Sequence, residues 1–275
     1  MEKQVLAGEG ERVRIFSYLP NPRLFKATIA ARYSGAELEI VGAAPRDLAN
    51  ALWDYEPRIL DDASKEENSQ WARTASMGFQ GALYKTDAFL AAHPYGNVPA
   101  AFAGDERLGV FESNSIMRAV ARAGNQSETL YGPGWSEQSR IDGFLDRTLL
   151  FADAVQRYVL MPADNLDSEI CQRTADAFIA YLKGIEAALT TSACIASDAV
   201  SLADIAFVCE IALLTYEYAK REALSRIDEP TVLSRLAEFP GAAAHLQSLS
   251  VDPAFVTDLK PYFEQLADEA WWVAS

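Results

Sequence analysis

His93-Pro-Tyr-Gly-Asn-Val-Pro-Ala-Ala-Phe102, then Gly104-Asp-Glu-Arg-Leu-Gly-Val-Phe-Glu-Ser-Asn-Ser-Ile116 running on to Gly124, is the stretch that decides the fold. Two short apolar runs, residues 98–102 and 108–111, flank the turn residues Gly104 and Asp105, and that pattern predicts a hairpin. A helix is expected to follow at once. Ser113 or Asn114 can cap it, and Ile116, Met117, Val120 and Ala121 recur at helical spacing before Gly124 closes it. Pro99 stands directly before a strand, where it cannot donate to a ladder, so the Val98-Pro99 pair is a candidate for an outward-turned, cis geometry. Glu112 and Ser113 fall where strand gives way to a helix N-terminus, whose free N–H groups and positive dipole end suit a carboxylate. The two ends together can hold a small peptide.

Pro94-Tyr-Gly-Asn-Val-Pro99 followed by Val110-Phe-Glu-Ser-Asn-Ser-Ile116 resembles the signature of the glutathione S-transferase superfamily. The resemblance implies an α/β thioredoxin-like N-terminal domain that binds glutathione, followed by an all-α C-terminal domain. It also implies that Val98 and Pro99 pair with the tripeptide backbone while Glu112 and Ser113 hold its γ-glutamyl end. Where many members carry a cation just before the Val-Pro pair, this chain has Asn97, which weakens the expected capture of the glycyl carboxylate there.

The 275 residues suffice for two modest domains, expected over 12–124, with an insertion around 50–80, and over 135–275. A net charge of −15 argues against a nucleic-acid partner and an anionic membrane surface. No apolar run approaches the roughly 20 residues of a membrane helix, and the first residues lack a signal-peptide core, so a cytoplasmic location is expected. Cys171, Cys194 and Cys209 form no C-x-x-C pair and read as core thiols. His93 and His245 have no metal-ligand companion at a useful sequence spacing, so no metal is expected.

Residues 1–11 read as loose, and residues 13–17 as a strand. Asn21 before Pro22 is a helix start; Phe25, Ile29 and Tyr33 keep one face apolar until Gly35, and residues 37–41 alternate as a second strand. About fifty residues separate that strand from the Val-Pro pair, more than the superfamily pattern, so part of them is an insertion. Trp53, Tyr55, Trp71, Met77 and Phe79 give it enough apolar surface to fold. A lid or dimer contact is one reading and a decorative surface helix the other. A linker is expected over 124–134, then two long amphipathic helices, then a Ser201-x-x-Asp204 capping box opening a third. Further short helices are expected over 230–268, broken at Pro240, Pro253 and Pro261.

A transferase of this kind must hold a thiol of pKa about 8.5 as thiolate at neutral pH, which hydrogen bonds to sulfur and a helix N-terminus accomplish. In this fold the donor comes from the turn after the first strand, and Ser17 and Asn21 are the candidates. Asn21 can aim its amide at the sulfur with the dipole of the following helix behind it; its ordinary alternative is a plain N-cap. Ser17 is equally ordinary as a turn former. Tyr18 is a weaker donor candidate, and Arg23 can bind a glutathione carboxylate or be a solvated helix charge.

Within the superfamily, residues 17–31 with Tyr33-Ser-Gly35 and Val110-Phe-Glu-Ser-Asn114 resemble the transferase-like domain of the elongation factor 1 gamma subunit, the FuA class of wood-decay fungi and the sphingomonad β-etherases. The last resemblance implies attack of the glutathione thiolate on an aryl ether, in a pocket whose candidate walls are Tyr18, Phe144, Phe151, Tyr216, Trp271 and Trp272. Each aromatic also has a core reading. The expected activity is a glutathione transferase acting on an aromatic electrophile, with β-aryl ethers of lignin type the specific expectation and a homodimer or heterodimer with a related subunit the expected assembly. The rival is a non-catalytic interaction module or a supporting subunit. A glutathione-dependent reductase is disfavoured because the first turn has no Cys.

Overall fold

Val13, Ile15 and Phe16 are all buried, and the strand they form becomes the centre of a sheet. The computed structural model describes residues 1–75, 78–104, 107–126 and 128–272. Contacts divide the chain into Met1–Ser127 and Glu128–Ser275.

In the first unit, β1 (Glu2–Leu6), β2 (Arg12–Tyr18), α1 (Pro22–Ser34) and β3 (Glu37–Ala43) lead into a second, smaller set of strands, β4 (Ala51–Trp53), β5 (Arg58–Ile59), β6 (Ala72–Thr74) and β7 (Ala82–Lys85). The chain then forms β8 (Ala100–Ala103), β9 (Leu108–Val110) and α2 (Ser113–Ala123). The main sheet has the order β1-β3-β2-β8-β9, with β2 and β3 parallel and the other neighbours antiparallel. With β1 as an added edge strand, this is the thioredoxin-like arrangement expected from the Val-Pro hairpin. α1 starts as expected: the Asn21 side chain accepts from Arg23 N, Pro22 occupies the first helical position, and Gly35 at φ 77° ends it in the left-handed region that a Cβ disfavours.

Residues 2–6 correct the expectation of a loose start. β1 pairs antiparallel with β3 from Glu2↔Gly42 to Leu6↔Leu38. Its side chains stay largely exposed, so no hydrophobic alternation announces it; backbone pairing along the open edge of β3 forms it. Lys3 and Arg14 both reach the Glu39 carboxylate of β3, and the hydrogen bond from Lys3, with the charges of Arg14 and Lys3 behind it, lowers its pKa from the usual carboxylate value.

The insertion is a second sheet, β5-β4-β7-β6, with a short helix, Asp62–Glu67, between β5 and β6. This corrects the surface-helix reading. Trp53 is 1% exposed and meets the edges of Phe16, Phe79 and Phe89 at 5.5, 5.7 and 5.9 Å, while its indole N–H donates to Leu48 O at 3.1 Å. Burying one such ring contributes roughly 1.5–3 kcal/mol, enough to join the insertion to the main sheet through a common core. Met77 and Asp105 lie outside the described residues. Gly109 sits where β9 crosses the end of helix Asp87–Ala92; a Cβ there would lie 2.0 Å from Ala92 O, so only glycine lets β9 approach.

The second unit is helical: α3 (Trp135–Leu160), α4 (Ser168–Leu189), α5 (Leu202–Leu214), α6 (Pro240–Leu249) and α7 (Pro253–Leu266), with shorter turns between them. A short helix, Glu128–Tyr131, falls inside the expected linker. Every residue of α5 is buried, and the expected Ser201/Asp204 capping box opens it. The expected breaks fall at Pro240 and Pro253, and the one expected at Pro261 needs correction. Pro240 and Pro253 begin helices at the first helical position, where the missing N–H is no loss, and Pro261 lies inside α7. Among the described residues no helix is long and apolar enough to cross a membrane.

Candidate functional site

Register brings the signature residues to one end of the first unit. β2 pairs with β8 through Phe16↔Ala100, and β8 with β9 through Ala101↔Val110. The next residues along each strand, Ser17, Pro99 and Phe111, therefore lie at the same edge of three adjacent strands. Both α1 and α2 start there, so the positive dipole ends of two helices share that edge. The Val98-Pro99 bond is cis, as its position before the strand suggested, and so is Leu19-Pro20. Pro99 is buried, Val98 half-buried and Asn97 exposed.

Glu112, and neither Ser113 nor Asn114, occupies the cap position of α2, with no side-chain cap hydrogen bond. Its backbone lies at φ 67°, ψ 126°, a region that costs a side-chain-bearing residue of order 1–3 kcal/mol. Such an outlier at the mouth of a helix points to a functional constraint on the Glu112 backbone. Its side chain is exposed and Ser113 half-buried, so both are open to a ligand. Beneath them Lys26 of α1, only 1% exposed, places Nζ 3.2 Å from Ser113 Oγ and 2.8 Å from Asn114 Oδ1.

The two candidate sulfur donors bond to each other. Asn21 Nδ2 donates to Ser17 Oγ at 3.0 Å while Asn21 Oδ1 accepts from Arg23 N at 3.0 Å. Ser17 is 0% and Asn21 1% exposed. Tyr18 and Arg23 beside them are half-buried. Near Asn97 the sequence reading missed a cation. Lys85 at the end of β7 donates to Gly96 O at 2.8 Å and lies 4.8 Å from the Trp53 ring centre, with its pKa lowered by burial. Its signal was hidden because β7 belongs to the insertion, whose register the sequence did not define.

In the second unit the aromatic candidates part company. Phe151 is 1% exposed and stacks on Phe178 and Tyr181, each at 5.0 Å, so it belongs to the helical core; this corrects its reading as a pocket wall. Phe144 is half-buried and, with Arg140, Arg147 and Tyr181, lines an open cavity of about 290 Å³ on α3 and α4. Half-buried Tyr216 shares a hydrogen bond of 3.3 Å with Tyr262. Trp271 and Trp272 lie 5.8 Å apart, and Trp272 sits 6.3 Å from Phe263 on α7.

All three cysteines are free and buried, as the sequence suggested. Cys194, Asp204 and His245 come within 4.8 Å of one another, a proximity their sequence spacing concealed. The donor set does not fit a metal. Asp204 Oδ1 already contacts Ile195 N at 3.0 Å and His245 Nε2 at 2.7 Å, and Oδ2 accepts from Ser201 N and Oγ at 2.8 Å each. Burial also pushes the Cys194 thiol up to about 11, away from the thiolate a metal needs.

No protein-family profile matches the chain. It is similar to elongation factor 1-gamma of Artemia salina, 27% identical over 216 residues covering 78% of this chain and 41% of that protein. It is likewise similar to elongation factor 1-gamma 1 of Oryza sativa subsp. japonica, 28% identical across 70% of this chain and 38% of the relative. The chain thus spans about two-fifths of the length of the curated relatives it matches. Among solved structures, the glutathione transferase URE2P5 of Phanerochaete chrysosporium superposes with a TM-score of 0.61 at 16% identity, over 94% of this chain and 98% of the other. A glutathione S-transferase-I bound with lactoylglutathione gives 0.60 at 20%, over 90% and 98%. URE2P6, solved with oxidized glutathione, gives 0.59 at 17%, over 93% and 98%.

Proposed function

We propose that this chain, which carries the glutathione transferase fold, binds glutathione at the shared end of β2, β8 and β9 and transfers its thiolate to an aromatic electrophile. The observation that carries the reading is the constrained Glu112 backbone at the N-terminus of α2, on the same sheet edge as Pro99 and Ser17. There Glu112 and Ser113 hold the γ-glutamyl end, Val98 the peptide backbone, and Arg23, Asn97 or the neighbouring Lys85 the remaining carboxylate. Because Ser17 Oγ accepts from Asn21, its own hydrogen is left to donate, and the α1 dipole adds to the stabilisation of a thiolate.

The specific reaction we propose is cleavage of β-aryl ethers of lignin type. The sulfur attacks the carbon next to a ketone, a C–S bond forms, the C–O bond breaks, and the phenolate leaves and takes a proton from solvent. Half-buried Tyr18, beside Ser17 at the end of β2, supports an aromatic substrate, as flat rings recognise flat rings. Exposed Leu149 and Leu150 on α3 support a dimer, as a homodimer or with a related subunit. A cytoplasmic location is part of the same reading.

A second reading, a non-catalytic interaction module or supporting subunit, is favoured by the burial of Ser17 and Asn21 and by the likeness to elongation factor 1-gamma. The experiment is calorimetric titration with glutathione, then ultraviolet thiolate absorbance of the complex against pH in wild type, Ser17→Ala and Asn21→Ala. Ionisation well below the free thiol's pKa, lost in one variant, supports catalysis and names the donor. Binding without ionisation moves the assignment to the module.

A further inference from the structure

Lys26 is the buried cation the proposed chemistry has not used. A lysine almost wholly out of water is disfavoured by both desolvation and rotamer entropy, and packing alone would favour Leu or Met between α1 and α2. Its Nζ donates to two first-turn side chains of α2, Ser113 Oγ at 3.2 Å and Asn114 Oδ1 at 2.8 Å. That first turn contains no acidic residue, so the ammonium adds to the positive end of the helix dipole.

We propose that Lys26 is a positioning residue for a ligand carboxylate at the N-terminus of α2. The proposal rests on the glutathione reading and deepens it. Nζ–H occupies a lone pair of Ser113 Oγ, which turns the serine's own hydrogen away from the helix interior and towards the ligand. Nζ, Ser113 Oγ and the carboxylate then form one polarised chain of donors, stronger than a hydroxyl acting alone. Through one hydroxyl the ammonium lies about 5–6 Å from the carboxylate, in a partly desolvated site where such charges still interact strongly. Lys26 itself touches no substrate.

The test is a cycle between side chain and ligand. Calorimetry compares glutathione with γ-aminobutyryl-cysteinyl-glycine, which keeps the amine and lacks only the γ-glutamyl α-carboxylate, on wild type and Lys26→Gln. Glutamine keeps a donor without the charge. Ser113→Ala is the second variant, should the first fail to fold. In wild type the analogue is expected to bind at least roughly tenfold more weakly, the scale of one charge-assisted contact. In Lys26→Gln and in Ser113→Ala that ratio is expected to fall towards one, and added salt to reduce it in wild type. A merely structural lysine would weaken both ligands alike and leave the ratio intact, which would overturn the role of Lys26 and leave the glutathione reading standing. No glutathione binding by wild type would overturn both.

Discussion

Asn21 Nδ2 lies 3.0 Å from Ser17 Oγ, and the other end of the same amide takes the N–H of Arg23, so one buried side chain closes the β2 turn and starts α1. Removing it uncaps the helix, at about 1 kcal/mol, and leaves a buried hydroxyl without its donor, at about 1 kcal/mol more. Asn21→Ala is therefore expected to lower stability by about 2 kcal/mol and Ser17→Ala by about 1 kcal/mol. Urea unfolding of both and of the double variant should show a coupling of about 0.5–1 kcal/mol. Strict additivity would mean that the pair contributes nothing as a unit.

The backbone of Glu112 at φ 67° makes the opposite kind of prediction. Glycine tolerates that region freely, so Glu112→Gly should raise stability by about 1 kcal/mol while weakening glutathione, since the carboxylate is lost. Glu112→Ala keeps the strain and loses the carboxylate. Thermal unfolding alongside calorimetric titration of the two variants separates backbone from side chain. A glycine variant less stable than the alanine variant would refute the strain.

Much of this site was legible because turn chemistry is local. Asn21-Pro22, Gly35, the Val98-Pro99 pair and the hairpin after it act within a few residues, and the structure realises each nearly where the sequence places it. What escaped depends on partners distant in sequence. β1 has no buried face, and its pairing to β3 leaves no periodicity to read. The insertion becomes a sheet only because Trp53 finds Phe16 and Phe89. Lys26 reads as an ordinary helix charge until α2, 87 residues on, is packed against it. Phe151 failed as a pocket wall for the converse reason, since an amphipathic stripe does not say which of its rings face the core.

Glu217 gives the second unit a pH dependence. It is wholly buried, accepting from Tyr158 Oη at 3.0 Å and from Val232 N and Leu233 N at 2.8 Å each, so it anchors the turn Val232–Glu238 to α3. Burial raises its pKa from 4.5 to about 7, against the three donors, which favour the charged form. A raised folded pKa binds the proton more tightly than the unfolded chain does. The stability it contributes is present below about pH 4.5 and is lost as pH rises through about 7. At about 1.4 kcal/mol per pH unit the change approaches about 3 kcal/mol. The difference in unfolding free energy between wild type and Glu217→Gln, measured from pH 4.5 to 8, should fall by that order and then level. A flat difference would show that the donors win and the carboxylate stays ionised.

Asp204 sits 2.7 Å from His245 and near Cys194, a trio that invites a metal assignment, and its hydrogen bonds argue otherwise. Two of the contacts, from Ser201 N and Oγ, close the capping box, and a third, from Ile195 N, pins the preceding loop to α5. Replacing the carboxylate strips these buried donors of their acceptor at once, so Asp204→Ala is expected to cost on the order of 3–5 kcal/mol and to leave little folded protein. Asp204→Asn retains one acceptor oxygen, presents an N–H₂ to donors on the other side, and should fall between alanine and wild type. Excess chelator, or added zinc, should leave the wild-type Tm unchanged, because a cation could enter only by displacing the helix cap. A Tm raised by zinc in wild type and not in His245→Ala would overturn that assignment and make the trio a metal site.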